Sequence, residues 1–290
     1  MRLAARGLRF VILAGFAAFF VVPLAWLVLA PTKSDEALVT ADPLAFGSFG
    51  RLAQAWRHLD AFSDHLYRLW IGNSLLYAVS ATAIVLVTGI PAGYGLAFGR
   101  FPGRRLVLTL TLVVMIMPAA ALVLPIFLEL NAVHLIGNAL SVILPFAFYP
   151  FGVYLAYIYY TTAVPRELLD AARIDGCDEW STFRHVALPL AKPVVALVLF
   201  FSFVADWNNF FLPYAVLTDS AQYPIQVGLS DLLSSTPSFN PAVGGGGQQV
   251  NIFRPELALA TLLAVIPVAV VFMLSQRALV RGLVGGGVKE

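Results

Sequence analysis

Four consecutive residues, Asp206-Trp207-Asn208-Asn209, place a carboxylate, an indole and two amides inside an otherwise apolar stretch, Val194–Leu217. Read as a helix, that stretch carries Asp206 about 18 Å from its start at 1.5 Å per residue. An unpaired carboxylate at such depth in a membrane costs at least about 2.5–3.5 kcal/mol, so it must face a wet cavity or a polar partner. An indole beside amide and carboxylate groups suits a sugar, which combines apolar ring faces with many hydroxyls. The same four residues could instead hold helices together or pair with a sister subunit. Other chemistry is missing from the sequence. His58, His65, His134 and His185 lack close metal-ligand spacing, and the single Cys177 permits neither an intrachain disulfide nor a Cys-based zinc site. No nucleophile elbow and no phosphate loop appears. The sequence therefore offers no catalytic residue and no metal site, and any ATP used must be bound by another subunit.

The elements that position these residues follow from composition. The 290 residues are 60% hydrophobic and 12% charged, with a mean hydropathy of +0.84, whereas a soluble domain is about 25% charged. So much apolar surface must be covered in part by lipid. The net charge of +2 is too small to point to nucleic acid. Six runs are long enough to span a bilayer: Phe10–Ala30, Ser74–Phe98, Leu106–Leu128, Ala139–Tyr160, Val194–Leu217 and Leu257–Leu274. The first follows Arg2, Arg6 and Arg9 as a secretory signal would, but it is too long for one and Pro31 follows its small-residue end, so it reads as a retained anchor. Pro118, Pro125, Pro145 and Pro150 interrupt spans, which membrane helices tolerate. Gly89/Gly93 and Gly95/Gly99 are small-xxx-small pairs that suit close helix packing.

Basic residues orient the spans. With the N-terminus inside, thirteen of the 18 Lys and Arg fall on the cytoplasmic side and five outside, so both termini are expected in the cytoplasm. The outer segments are Pro31–Asn73, with an expected interfacial helix carrying Leu52, Trp56, Leu59 and Leu66, and Thr218–Glu256, which reads as flexible loop around Pro237, Pro241 and Gly244–Gly247. The inner loop Thr161–Pro193 is rich in helix formers. Pro165 suits a first helical position, Arg166–Ile174 a helix, and Gly176 a left-handed stop. A second short helix is expected at Asp178–Val186, with Asp178 and Glu179 at its positive end. Pro189 and Pro193 bracket the entry into the fifth span, and Ala171 with Ala172 suggest a small-residue face for close approach by another protein.

This loop carries a family resemblance. Asp170-Ala171-Ala172, Gly176, Val186, Leu188 and Pro189, at their spacing, resemble the EAA signature of the membrane subunits of binding-protein-dependent ABC importers. Asp170 stands for the usual glutamate, Val186 for a common isoleucine and Cys177 for the usual alanine, which suits a small packing residue. Asn73-Ser74, the Arg100–Arg104 turn, Met117-Pro118 and Trp207–Phe210 look like the carbohydrate branch, resembling the maltose and glycerol-3-phosphate permeases. The ending Arg281–Lys289 is similar to the maltose-importer tail that inserts between the ATPase subunits.

The resemblance implies an all-α membrane protein with six transmembrane helices, a type I ABC importer permease (MetI-like) fold with a cytoplasmic coupling helix. Its expected organisation is a cytoplasmic N-terminus at 1–9, a first span at 10–30, an extracytoplasmic segment at 31–73, a permease core at 74–280 containing the coupling loop 161–193, and a cytoplasmic tail at 281–290. It implies ATPase coupling through Glu167, Asp170, Ala171, Ala172, Asp175, Gly176, Val186, Leu188 and Pro189, and tail contacts through Gly285, Gly286, Gly287, Val288 and Lys289. Implied partners are a second permease subunit, an ATPase dimer holding ATP and Mg, and an extracytoplasmic solute-binding protein. The expected location is the bacterial inner membrane, with a sugar, oligosaccharide or glycerophosphate-like solute as cargo. A secondary transporter or channel would need an internal repeat or several buried charges. A membrane-embedded enzyme would need clustered His, Asp or Glu. The chain has one good intramembrane acid, no clear repeat and scattered histidines.

Overall fold

The apolar runs demand helices, since only an internally hydrogen-bonded backbone survives in lipid short of a closed barrel. A computed structural model of the chain describes residues 2–237, 239–240 and 252–285, and every regular element among them is helical. In chain order come α1 (Arg2–Leu29), α2 (Ala37–Thr40), α3 (Phe49–Ala61), α4 (Leu66–Phe98) and α5 (Arg104–Ile116). There follow α6 (Ala119–Ala132), α7 (Leu140–Ala147), α8 (Pro150–Ala163), α9 (Arg166–Ile174) and α10 (Glu179–Thr182). A wider π turn at Phe183–Ala187 leads into α11 (Leu188–Leu190), α12 (Lys192–Trp207), α13 (Phe211–Val216), α14 (Ile225–Ser234) and α15 (Arg254–Gly285).

Four stretches are long and apolar enough to cross a membrane, Arg6–Thr32, Leu66–Phe98, Leu140–Ala163 and Arg254–Arg277, and two bent helix pairs bring the number to six if each pair is one span. The bends correct two expectations. The run Leu106–Leu128 is not one straight helix but α5 and α6, turned by 110°. Met117 is extended there, with ψ of 130°, because proline disfavours the helical conformation in the residue before it, and Pro118, the N-cap of α6, is extended too, with ψ of 126°. The fifth span does not run to Leu217. Helix α12 stops at Trp207, α13 takes up after a short break, and a bend of 77° near Pro189 and Pro193 precedes α12.

The chain divides into two compact units, Met1–Leu69 with Gly228–Ile266, and Trp70–Val227 with Pro267–Glu290. In the first, Ser48 caps α3 by accepting from the Arg51 N–H at 3.2 Å. The expected interfacial helix is α3, with Leu59 fully buried, Leu52 half-buried and Trp56 exposed, while Leu66 belongs to α4. Tyr67 donates to the Ala260 carbonyl at 2.9 Å, and His58 meets the buried Glu256 carboxylate at 2.9 Å. The outer segment expected to be loop contains α14 and a 3-10 turn, Ser220–Gln222. Pro241 and Gly244–Gly247 lie outside the described residues, as do Gly286, Gly287, Val288 and Lys289 of the tail, while Gly285 ends α15.

The second unit holds two cores. One gathers Val85, Tyr94, Ala156, Tyr160, Leu169, Phe183 and Val198, which binds α4, α8, the 161–193 loop and α12 together. The other gathers Tyr77, Leu130, Val142, Phe146 and Leu212 around α6, α7 and α13. Asn73 and Ser74 act at the second core's edge. The Asn73 amide donates to the Ala221 and Tyr223 carbonyls at 2.8 and 3.1 Å, Ser74 accepts from the Ile225 N–H at 2.7 Å, and Tyr77 donates to the Gln222 carbonyl at 2.9 Å. These bonds pin the 220–225 segment and satisfy backbone carbonyls that no helix serves.

Candidate functional site

Three helix interruptions converge on one cavity of about 460 Å³ within the second unit. They are the bend at Met117-Pro118, the non-helical Phe148-Tyr149 step before Pro150, and the end of α12. Each leaves backbone groups without an i→i−4 partner, which is tolerated at membrane depth only beside protein or water. Side chains lining the cavity include Met117, Tyr149, Phe151, Asp206, Asn209 and Phe211.

Asp206 is 9% exposed. Thr82 Oγ1 donates to its carboxylate at 3.5 Å, and Ser202 Oγ lies 3.5 Å from Thr82 Oγ1 while donating to the Val198 carbonyl at 2.8 Å. A 3.5 Å contact is at the limit of a hydrogen bond, so this carboxylate keeps acceptor capacity for a guest. Asn209 stands three positions on, past the end of α12, and the turn closed by its N–H donating to the Asp206 carbonyl at 3.3 Å leaves both on the cavity wall. The other two members of the sequence cluster go elsewhere. Trp207 is 2% exposed and stacks on Phe203, ring centroids 5.7 Å apart at 19°. Asn208 turns away, donating to the Val204 carbonyl at 2.8 Å and accepting from Gln226 at 3.5 Å. The structure thus brings two of the four together and supplies Tyr149 and Phe151 as the aromatic surfaces, which sequence reasoning missed. Their signal was the aromatic run Phe148-Tyr149-Pro150-Phe151 around a helix-breaking proline.

The 161–193 loop is built as its sequence demands, with corrections. Pro165 is the N-cap of α9 rather than its first residue. Gly176 is left-handed at φ +88°, and the Cys177 N–H donates back to the Ala172 carbonyl at 3.0 Å, closing α9 as a Schellman stop. Asp178 caps α10 by accepting from the Ser181 N–H at 2.8 Å. Ala171 and Ala172 do not form one face: adjacent residues point about 100° apart on a helix, so Ala171 is exposed and Ala172 buried. Glu167, Asp170, Asp175, Gly176 and Pro189 are also exposed, while Val186 and Leu188 are half-buried against the core that holds Leu169 and Phe183. Three large apolar side chains stand out of the loop, Leu168, Ile174 and Trp180, at 46%, 86% and 61% exposure.

One polar chain ties this loop to the end of α4. Tyr94 donates to Glu179 at 3.0 Å, Glu179 accepts from Arg173 at 2.6 Å, and Arg173 reaches Asp170 at 2.8 Å. The hydrogen bond to Glu179 is the main cause holding the Arg173 guanidinium above its ordinary value, with Asp170 adding to it. Arg166 also lies over the Phe98 ring, 5.8 Å from its centroid. The sequence resemblance marks Asp170 for ATPase coupling, but Glu179 and Arg173 read there only as a charge at a helix start and a helix former, and Tyr94 carried no signal. Among the described residues no group of His, Cys, Asp and Glu could hold a metal.

Residues 89–285, which include the loop and nearly all of the cavity, match the family described as binding-protein-dependent transport system inner membrane component. The chain belongs to that family. The permease is 34% identical over 224 residues to the arabinooligosaccharides transport system permease protein AraQ of Bacillus subtilis (strain 168), covering 77% of this chain and 74% of that one. It is 28% identical over 275 residues to the lactose transport system permease protein LacG of Rhizobium radiobacter, covering 94% and 92%. With the diacetylchitobiose uptake system permease protein NgcG of Streptomyces coelicolor (strain ATCC BAA-471 / A3(2) / M145) it shares 29% over 262 residues, 89% and 80% of the two chains. Its fold matches, at a TM-score of 0.77 and 23% identity over 93% and 94% of the chains, one from the crystal structure of a bacterial ABC transporter involved in the import of the acidic polysaccharide alginate. The permease is therefore a multi-pass inner-membrane protein with an all-α ABC importer fold.

Proposed function

We propose that this permease carries a carbohydrate through the inner membrane by alternating access, driven by ATP hydrolysis on a separate subunit. The observation that carries the reading is the cavity in which three helix breaks meet, with Asp206 and Asn209 beside Tyr149 and Phe151. Carboxylate and amide groups accept and donate hydrogen bonds to hydroxyls, and the aromatic rings pack on the apolar faces of a sugar ring. Relatives named for arabinooligosaccharides, lactose and diacetylchitobiose support that class of solute.

The drive enters through the 161–193 loop. Leu168, Ile174 and Trp180 project from it, and Glu167, Asp170, Ala171, Asp175 and Gly176 are exposed on the same loop, so it offers apolar and acidic groups together. Such a surface suits the cleft of an ATPase subunit, which would bind the ATP and Mg, since this chain has no phosphate loop. Ala172, Val186 and Leu188 hold the loop's shape beneath that surface, and Pro189 stands exposed beside it. The working assembly has two permease subunits, two ATPase subunits and an extracytoplasmic binding protein that docks on the outer segment 31–73. Both termini lie in the cytoplasm, where the tail Gly285-Gly286-Gly287-Val288-Lys289 reaches the ATPase. Residues 74–280 form the permease core.

The test is uptake of a labelled oligosaccharide into proteoliposomes holding the purified assembly. Uptake should require ATP, the ATPase subunit and the binding protein together. Transport by the permease without any ATPase would overturn the proposal.

A further inference from the structure

The cavity has a chemical make-up as well as a shape. Among the described residues that line it there is no Lys, Arg or His, and the one acid is Asp206. The rest of the wall is apolar or aromatic, with Asn209 and the Tyr149 hydroxyl as its other polar groups. Seven basic side chains of the second unit lie instead at Arg100–Arg105 and in the 161–193 loop, where Arg104 donates to the Leu96 and Ala97 carbonyls at 2.6 and 3.1 Å and Arg173 serves Glu179. None of these reaches the cavity wall.

Resting on the carbohydrate reading above, we propose that this cavity selects uncharged carbohydrates and rejects acidic ones, uronates and sugar phosphates alike. A hydroxyl can donate to Asp206 and a ring face can lie on Tyr149 or Phe151. A uronate carboxylate or a phosphate finds no cation to pair with on a wall that is otherwise apolar or aromatic, and giving up its water there unpaired weakens binding by well over tenfold. The inference concerns this chain's own wall. It sets the permease apart from the fold neighbour whose cargo is the acidic polysaccharide alginate, and it removes glycerophosphate-like solutes from the candidates the sequence leaves open.

The experiment measures equilibrium binding to the whole assembly of permeases and ATPase in nanodiscs, with the binding protein omitted so that it cannot filter the solutes. The probes are a radiolabelled neutral oligosaccharide, the same oligosaccharide with its terminal hydroxymethyl oxidised to a uronate, and a neutral peptide of similar size. The neutral sugar should bind at least tenfold more tightly than the uronate. Asn209→Lys, which sets a cation on the wall, should shrink that preference to about twofold, whereas Asn209→Ala should weaken both sugars and leave their ratio alone. Equal binding of the two sugars by the unaltered assembly overturns this inference while leaving the carbohydrate reading intact, as does an unchanged ratio in Asn209→Lys. Binding of the peptide alone overturns both. Should Asn209→Lys fail to co-purify with the ATPase, the ratio in the unaltered assembly still decides.

Discussion

Gly93 and Gly95 lie two residues apart on α4, belong to two small-xxx-small pairs, and should respond oppositely to the same substitution. An alanine Cβ at Gly93 would stand 2.5 Å from the Ala156 Cβ and 2.9 Å from the Tyr157 backbone nitrogen, where ordinary contact begins at 3.4 Å. The shortfall is about 1 Å, and Ala156 is fully buried on α8, so one of the two helices must move. Overpacking of this kind costs about 1–3 kcal/mol, offset by about 0.5–1 kcal/mol from replacing glycine in a helix. Gly93→Ala should thus lose about 1–2 kcal/mol. At Gly95 a Cβ meets nothing within 4 Å, so only the propensity gain remains and Gly95→Ala should stabilise by about 0.5–1 kcal/mol. The assay is the denaturation midpoint of the purified assembly in mild detergent, with Gly93→Ala/Ala156→Gly as the rescue. Removing the Ala156 Cβ relieves the shorter contact and leaves the one to Tyr157, so recovery should be partial. Because α8 runs into α9 through Val164, Gly93→Ala should also lower uptake per ATP hydrolysed. Equal stability of Gly93→Ala and the unaltered protein, or a loss at Gly95 as large as at Gly93, refutes the packing argument.

Further outcomes are expected elsewhere in the second unit. Asn209→Ala should reduce oligosaccharide uptake severalfold without loss of ATPase co-purification, while Asn208→Ala, which turns toward Val204 and Gln226, should cost less; the reverse order in a transport assay would put the wrong amide at the cavity. Glu179→Ala removes bonds to Tyr94 and Arg173, yet both charged side chains are largely exposed, so stability should fall by no more than about 1 kcal/mol. Uptake per ATP should fall instead, and an unchanged ratio would show that this chain of bonds transmits nothing. The Thr182 hydroxyl is buried with no hydrogen-bond partner among the described residues. Thr182→Val keeps the shape and removes an unsatisfied polar group, so the midpoint should hold or rise, and a clear drop would mean the hydroxyl has a partner in the working assembly.

Much of this molecule was legible in its residues because the bilayer leaves few choices. A run of about 20 apolar residues has to be a helix, and the six expected spans correspond to four helical stretches and two bent pairs. The Gly176 stop and the Asp178 cap are local chemistry, carried by one residue's conformational freedom and one side chain's oxygen, and both stand where the sequence put them. Tertiary structure decided what local rules leave open. Pro118 announced an interruption, but only packing set its bend at 110° and turned an expected straight span into a cavity wall. Four neighbouring residues looked like one cluster, yet the end of α12 and the turn after it left Asp206 and Asn209 on the cavity wall and buried Trp207 on Phe203. Gly93 and Gly95 read alike in the sequence, and the presence of Ala156 opposite one and open space opposite the other separates them. Hydrophobic length determines that a helix forms; the face it shows and the neighbour it meets depend on residues far away in the chain.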